Sequence, residues 1–529
     1  MILFRADSNS SVGLGHVMRC LSIADAFKNA GESCLFVTAD NGLQKTIKDR
    51  GHKNLVLNSQ YDHMEAEIEQ FLEEIEKRDI QIVFVDSYFV TEEYLRTLWH
   101  FCARKYITLV YIDDVLAFPY PCDVLLNYNI YANKEDYRKL YAGNTLPELL
   151  LNTAYQPLRA EFQNLPHRVV KPKGKDILIS TGGADAERIG MEILKTIIAH
   201  ENWKVYQFHF IVGMMNDDKD EMEKIVGERE NIILHKRIRK MSELVQNSDV
   251  AISAAGSTLY ELCATQTPSL TYVLAENQVP GAAGFERKGV FKNAGDIRAL
   301  GSGKLAEKLL SDAVALAENY EKRSEMASRM KEVVDGKGAE RIVNEVSEIW
   351  NRNAMDQIIV FIDHFDIHYR LLLRRYKRFK EVDIPQSRDI DVITYLDMIL
   401  VQLRSMCLEQ DKYKNNYTVQ NLFHRLGRDD LADRINAMLD EQFFEYRSGC
   451  SIRDAIKILT DDYVCHYDAF DTDGIVQSEI IEQQLRNPYI QHNLDYIMKV
   501  LIDSIGEGLS IKNFISQGEA DHEISGMEE

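Results

Sequence analysis

A single histidine, His16, follows Gly13 and Gly15 in the turn between an apolar strand, Ile2–Arg5, and an amphipathic helix, Val17–Ala30. Glycine lets a backbone pass close to a ligand, and a helix N-terminus offers unpaired N–H groups to an anion. An imidazole beside such a site titrates near neutral pH and can move a proton. His16 is therefore the candidate catalytic residue, with Gly15 and Arg19 counted beside it for substrate binding. The loop is a weak dinucleotide fingerprint, because Met18 stands where a third glycine would be needed, although Asp40 lies at about the distance expected for a ribose contact.

Other polar residues gather just past strands. Gln81–Val85 runs into Asp86-Ser87-Tyr88, Ile107–Ile112 into Asp113-Asp114, and Cys122–Leu126 into Asn127-Tyr128-Asn129. In an open parallel sheet that edge binds ligands. Successive strand residues point opposite ways, so one of Asp113 and Asp114 is expected at the site and the other in a structural role. No histidine or further acid has the spacing to complete a metal site there, and no metal is expected.

Two further Gly-rich turns, Thr181-Gly182-Gly183 and Gly256-Ser257-Thr258, follow strands in the second half. Backbone N–H groups and hydroxyls of this kind hold a diphosphate without a metal. Neither turn has the G-x-x-x-x-G-K-[ST] form, which argues against a P-loop ATPase. Glu261, one turn into the next helix, is placed to accept ribose hydroxyls. No cofactor is expected.

The elements that position these residues alternate strand and helix. Residues 1–150 also include strand Cys34–Thr38 and helices Met64–Arg78 and Glu92–Arg104. Residues 145–172, with several prolines, read as a linker. Strand Asp176–Ser180, helix Glu187–His200, and strands Gln207–Val212, Ile232–His235, Val250–Ser253 and Leu270–Val273 then repeat the pattern. After about residue 350 glycine, proline and strand signals thin out, and helices are expected at Asp356–Phe379, Arg388–Leu408, Val419–Leu426, Asp429–Tyr446, Ile452–Asp461 and Glu479–Ile505. The expected fold is α/β: two Rossmann-like, doubly wound lobes, 1–150 and 151–350, then an all-α bundle, 351–511, and a polar tail, 512–529.

The 529 residues carry 62 Lys and Arg against 83 Asp and Glu, a net charge of −21. Such an acidic chain is not expected to bind nucleic acid or an anionic membrane broadly. No apolar run reaches membrane-spanning length, no basic leader precedes the first strand, and the eight cysteines lack paired spacing. A cytoplasmic protein is expected.

Seven segments in one order, RADSNSSVGLGHVMRCLSIADAF, VDSYFVTEEYL, YIDDVLAFPYPCDVLLN, AYQPLRAEF, ILISTGGADAERIG, DVAISAAGSTLYELC and LAENQ, resemble the PseG-type UDP-sugar hydrolases of pseudaminic acid synthesis. The resemblance covers residues 1–350 and implies a glycosyltransferase-B-like fold. It also implies hydrolysis of UDP-2,4-diacetamido-2,4,6-trideoxy-altropyranose, with UDP on the second lobe and the sugar reaching the first. His16 matches the family's loop histidine, Tyr88 of Asp86-Ser87-Tyr88 a sugar-side tyrosine, and Asn277 of Glu276-Asn277-Gln278 a nucleotide-sugar contact. Gly256, Ser257, Thr258 and Glu261 match diphosphate and ribose contacts of related glycosyltransferases. Three departures stand out: Ala255-Gly256 for a Gly-Gly pair, Asn152 for a glycine, and Thr265-Gln266 for a Leu-Gly type pair. The same segments also fit two other functions: a glycosyltransferase using the same UDP-sugar donor, and a non-catalytic UDP-sugar-binding protein whose bundle engages a partner.

Within the bundle, Thr460 to Asp468, with His466, resembles HEPN-type bundles, but the Arg of their RNase motif is absent, with Leu459, Thr460 and Asp461 at the eligible positions. The bundle is expected to serve a protein partner or self-association. His364 and His368, near Asp363 and Asp366, lack the Glu of HExxH and read as a solvated helix face.

Overall fold

Strands buried on both faces need continuous apolar runs, and IVFVD and VAISA are two of them. In the computed structural model these lie at the centres of two parallel sheets. The structure describes residues 1–7, 15–182, 185, 187–213, 216–236, 238–381, 389–408, 418–443, 450–458, 460 and 491–507, without the side chains at 355–357, 361, 364 and 389–394. Contacts divide the chain into two units, Met1–Trp350 and Asn351–Glu529.

The first sheet comprises β1 (Ile2–Ala6), β2 (Cys34–Thr38), β3 (Lys53–Val56), β4 (Ile82–Asp86), β5 (Thr108–Ile112), β6 (Val124–Asn127) and β7 (Glu148–Leu151), in the order β3-β2-β1-β4-β5-β6-β7. The second comprises β8 (Asp176–Ser180), β9 (Gln207–Ile211), β10 (Ile232–His235), β11 (Val250–Ala254), β12 (Ser269–Val273) and β13 (Phe291–Asp296), in the order β10-β9-β8-β11-β12-β13. Strand order reverses between β1 and β4 and again between β8 and β11. Each reversal leaves a crevice at the C-terminal strand edge, because the helices on either side of it pack on opposite faces. These are the two Rossmann-like lobes that the alternating pattern predicts.

Helices Gly15–Asn29 and Gly338–Glu381 contribute to the core of the first sheet, the second through Ile342, Val343, Val346 and Ile349. The chain thus returns to its first lobe after completing the second. The return is tight at Gly338, where a Cβ would lie 2.5 Å from the backbone nitrogen of Gln156.

Strands β3, β7 and β13 are absent from the sequence reading, and β7 lies inside the stretch read as a linker, which therefore begins later. All three are edge strands, paired on one side only, so short or polar sequences such as KNLV and FKNAGD suffice. The expected helix Met64–Arg78 divides into a 3₁₀ turn, Met64–Glu67, and an α-helix, Ile68–Glu76. Glu67 is drawn inward at that junction by Arg5, whose Nε donates to it at 2.6 Å.

The second unit is helical in its described residues: part of Gly338–Glu381, then Asp389–Cys407, Val419–Arg425, Asp429–Asp440, Ile452–Ile458 and a helix over 491–507. Leu396, Leu400, Leu403 and Met406, three or four residues apart on one helix face, are buried in its core. The helix expected to reach Tyr446 stops at Asp440, because Gln442 bridges to Ser451 and the Phe443 N–H donates to the Cys450 carbonyl at 2.8 Å. The HEPN-like residues Leu459, Asp461, His466 and Asp468, the side chain of His364 and the tail 512–529 lie outside what is described.

Candidate active site

Strands β1 and β4 pair in register, Ala6 opposite Asp86, so Asp86 closes β4 at the crevice where strand order reverses. Helix Gly15–Asn29 starts above the same edge and brings His16 and Arg19 to it on successive turns. All three side chains are buried.

Asp86 accepts from Nδ1 of His16 through Oδ1. Arg19 grips the same carboxylate with two donors, Nε to Oδ2 at 2.6 Å and Nη2 to Oδ1 at 2.5 Å, and Nη2 also lies 3.1 Å from His16 Nδ1. Its Nη1 reaches outward to Asp114 Oδ2 at 2.6 Å and to the Tyr128 hydroxyl at 2.8 Å. A planar guanidinium with donors on three sides suits a site where two carboxylates must be held in fixed directions. Tyr88 completes the cluster: its hydroxyl donates to Asp114 at 3.1 Å, and its ring meets His16 edge-on with centroids 4.4 Å apart. At 51% exposure it is the open member of the group.

Electrostatics follow the geometry. Burial alone raises the Asp86 carboxyl, but Arg19 and then His16 outweigh it and hold the group below the usual carboxylate range. Burial likewise opposes the charge on Arg19, and Asp114 and Asp86 overcome it, so the guanidinium stays charged. Burial, followed by the charge of Asp114, raises the Tyr88 phenol.

Asp113 and Asp114 separate as the strand alternation requires. Asp113 is fully buried, accepting from the Val115 N–H at 2.8 Å and the Tyr137 hydroxyl at 2.5 Å, and it ties down its own turn. Asp114 faces the cluster and also accepts from Asn129 Nδ2 at 2.9 Å. Asp114, Tyr128 and Asn129 thus join the cluster, each from a strand end where polar residues gather in the sequence.

On the second lobe, Thr181 and Gly182 follow β8, and Gly182 sits at φ +94°, where a side chain would be strained. Gly183 and, in the first lobe, Gly13 and Leu14 lie outside the described residues. Gly256 and Thr258 are half-buried and Ser257 exposed after β11, at the start of a helix of seven residues, Thr258–Ala264. Glu261 is engaged by Arg159, which donates from Nε at 3.0 Å and Nη2 at 2.7 Å. Burial raises the Glu261 carboxyl and Arg159 opposes that rise. Asn277 is exposed, whereas Gln278 turns back to accept from the Leu274 N–H at 2.9 Å. Arg159, two residues after the proline of AYQPLRAEF, is a further member that sequence reasoning missed.

Among the described residues no three His, Cys, Asp or Glu side chains form a metal-binding group, and no helix is long and apolar enough to cross a membrane.

Residues 177–340 match the family model described as the glycosyltransferase family 28 C-terminal domain. Over 290 residues, 54% of this chain and 97% of the other, the chain is 24% identical to the UDP-2,4-diacetamido-2,4,6-trideoxy-beta-L-altropyranose hydrolase of Campylobacter jejuni. Over those 290 residues the two chains are homologous. The chain is also 22% identical over 287 residues to an uncharacterized protein of Methanocaldococcus jannaschii, covering 52% of this chain and spanning 55% of the other's length. Among solved structures, the MurG protein of Acinetobacter baumannii aligns with 66% of this chain and 99% of its own, at a TM-score of 0.46 and 12% identity. These matches cover at most about two thirds of the chain.

Proposed function

We propose that the protein hydrolyses a UDP-linked 2,4-diacetamido-2,4,6-trideoxyhexose to the free sugar and UDP, as a step in nonulosonic acid synthesis. The observation that carries this reading is the Asp86–His16 pair at the crevice of the first lobe. With the Nδ1 proton committed to the Asp86 carboxylate, the lone pair of neutral His16 lies on Nε2, where it can accept a proton from water. Water then attacks the anomeric carbon, the bond to the diphosphate breaks, and His16 holds the proton lost by water. Arg19 keeps Asp86 charged and fixed, so the imidazolium that forms is stabilised without rearrangement. Tyr88, exposed beside the imidazole, offers its ring face and hydroxyl to the sugar.

The leaving UDP is assigned to the second lobe. The backbone N–H of Gly182, with the hydroxyls of Ser257 and Thr258, supplies donors for the diphosphate, while Gly256, whose own N–H donates to the Ala254 carbonyl at 2.8 Å, shapes the turn. A seven-residue helix has a small dipole, so these local donors rather than the helix carry the binding. Glu261, held by Arg159, accepts from the ribose, and Asn277 and Gln278 contact the nucleotide-sugar. The homology to a hydrolase named for this sugar nucleotide supports the substrate class.

The match of the second lobe to a glycosyltransferase domain favours one other reading, transfer of the sugar to an acceptor other than water. Incubation with UDP-diacetamido-trideoxyaltrose decides between them. Stoichiometric UDP and free sugar in buffer alone are expected; UDP release that waits for an added acceptor would overturn hydrolysis.

A further inference from the structure

The proposed chemistry makes no use of Tyr260, a buried residue on the helix that begins at Thr258 and the neighbour of Glu261 in sequence. Its phenol ends on the other lobe. The hydroxyl donates to Asn129 Oδ1 at 3.3 Å and accepts from the Ile130 N–H at 3.3 Å. The ring meets Tyr128 edge-on, with centroids 6.1 Å apart.

From Asn129 the hydrogen bonds continue without a break. Asn129 Nδ2 donates to Asp114 Oδ1 at 2.9 Å, and Asp114 Oδ2 accepts from Arg19 Nη1 at 2.6 Å. Arg19 grips Asp86, and Asp86 holds His16. Tyr128 reinforces the route, since the same Arg19 Nη1 donates to its hydroxyl at 2.8 Å. One run of polar contacts therefore joins the helix beside the diphosphate turn to the imidazole in the opposite lobe.

A phenylalanine would fill the Tyr260 site and keep the ring contacts to Tyr128 and Phe285. The hydroxyl adds one property, a link between a side chain and a backbone N–H of the other lobe. We propose that Tyr260 is a positioning residue that couples nucleotide occupancy of the second lobe to the placement of His16 in the first. The inference rests on the assignment of UDP to the second lobe. A shift of the Thr258–Ala264 helix on nucleotide binding pulls Asn129, and through Asp114 and Arg19 it sets the carboxylate on which His16 turns.

The test uses the full chain and UDP as the probe. His16 is followed through its imidazole NMR signal, assigned from a His16→Gln spectrum, while calorimetry gives UDP affinity. UDP is expected to shift the His16 signal in the wild type. In Tyr260→Phe, UDP should bind within about twofold of normal while most of that shift disappears. Turnover of the UDP-sugar should then fall about tenfold in kcat at unchanged KM, a loss of about 1.4 kcal/mol of transition-state stabilisation. Tyr260→Phe with Asn129→Ala should be no slower than the slower single variant, since both break one run. Should Tyr260→Phe fail to fold, Asn129→Ala breaks the run from the other lobe and is read the same way. A wild-type His16 shift and kcat in Tyr260→Phe would overturn the coupling, as would UDP binding that leaves wild-type His16 unmoved. Absence of any UDP binding to the wild type would instead remove the nucleotide assignment, and the coupling with it.

Discussion

Asp86 accepts a hydrogen bond from Nδ1 of His16 across 70 positions of sequence, one residue ending strand β4 and the other opening the first helix. The pair sits where strand order reverses, and the Arg19 guanidinium saturates the rest of the carboxylate. An imidazole held this way has its tautomer chosen for it.

Asp86→Asn keeps the shape and loses that choice, because a carboxamide can donate to Nδ1 and push the proton to Nε2. We expect kcat to fall about 10²- to 10⁴-fold, the range seen when a base loses its function or its tautomer. Arg19 retains Asp114, so the variant should fold. Steady-state kinetics with a circular-dichroism melt would check this, and a folded variant at full speed would remove Asp86 from the chemistry.

Asp185 gives a pH dependence of stability with the opposite sign to a salt-bridged carboxylate. Burial, only partly offset by the Gly190 N–H at 2.9 Å, raises its carboxyl to about 6, and Oδ1 is buried without a hydrogen-bond partner. The folded state therefore holds a proton that the unfolded chain releases near pH 4. Stability should fall as pH rises from about 4 through 6 and then level off, by on the order of 3 kcal/mol at most. Urea unfolding at pH 4.5 and pH 7 should show this loss in the wild type and little of it in Asp185→Asn. Equal pH dependence in the two proteins would refute it.

Two departures from the family pattern turn out to occupy glycine-like backbone. Asn152 sits at φ +74° and ψ −178°, and Gln266 at φ +53°. Asn152 recovers part of the strain by accepting from the Ala154 N–H at 3.1 Å, whereas Gln266 carries a side chain in the left-handed region. Gln266→Gly should therefore stabilise the protein by about 1 kcal/mol, the cost of that conformation for a residue with a Cβ. A melting temperature that drops would show that the glutamine side chain outweighs the strain.

Glu261 has a structural partner as well as a proposed ligand. Glu261→Gln keeps its size and weakens its pairing with Arg159. If the carboxylate accepts ribose hydroxyls, UDP affinity should fall about tenfold, as when a charged hydrogen bond is lost. A lower melting point with unchanged UDP affinity would restrict Glu261 to holding Arg159.

Much of the fold was legible because central parallel strands and amphipathic helices are written in apolar spacing. The edge strands β3, β7 and β13 were not, since one-sided pairing imposes no such pattern on KNLV or FKNAGD. At the site, His16, Asp86 and Tyr88 could be read from loop and strand-end position. The roles of Arg19 as a two-carboxylate clamp and of Tyr260 as a link between lobes could not. Each depends on where a long side chain ends, which spacing along one element does not encode. The Asp113-Asp114 pair shows the intermediate case: alternation predicts that the two diverge, and only the neighbours Tyr137 and Arg19 decide which goes where.

The proposed hydrolysis depends on His16 as the base that activates water. UDP release from UDP-2,4-diacetamido-2,4,6-trideoxyaltrose should proceed in buffer without metal or acceptor, and His16→Ala should slow it about 10²- to 10⁴-fold at unchanged UDP affinity. Undiminished release by a folded His16→Ala protein would contradict the account.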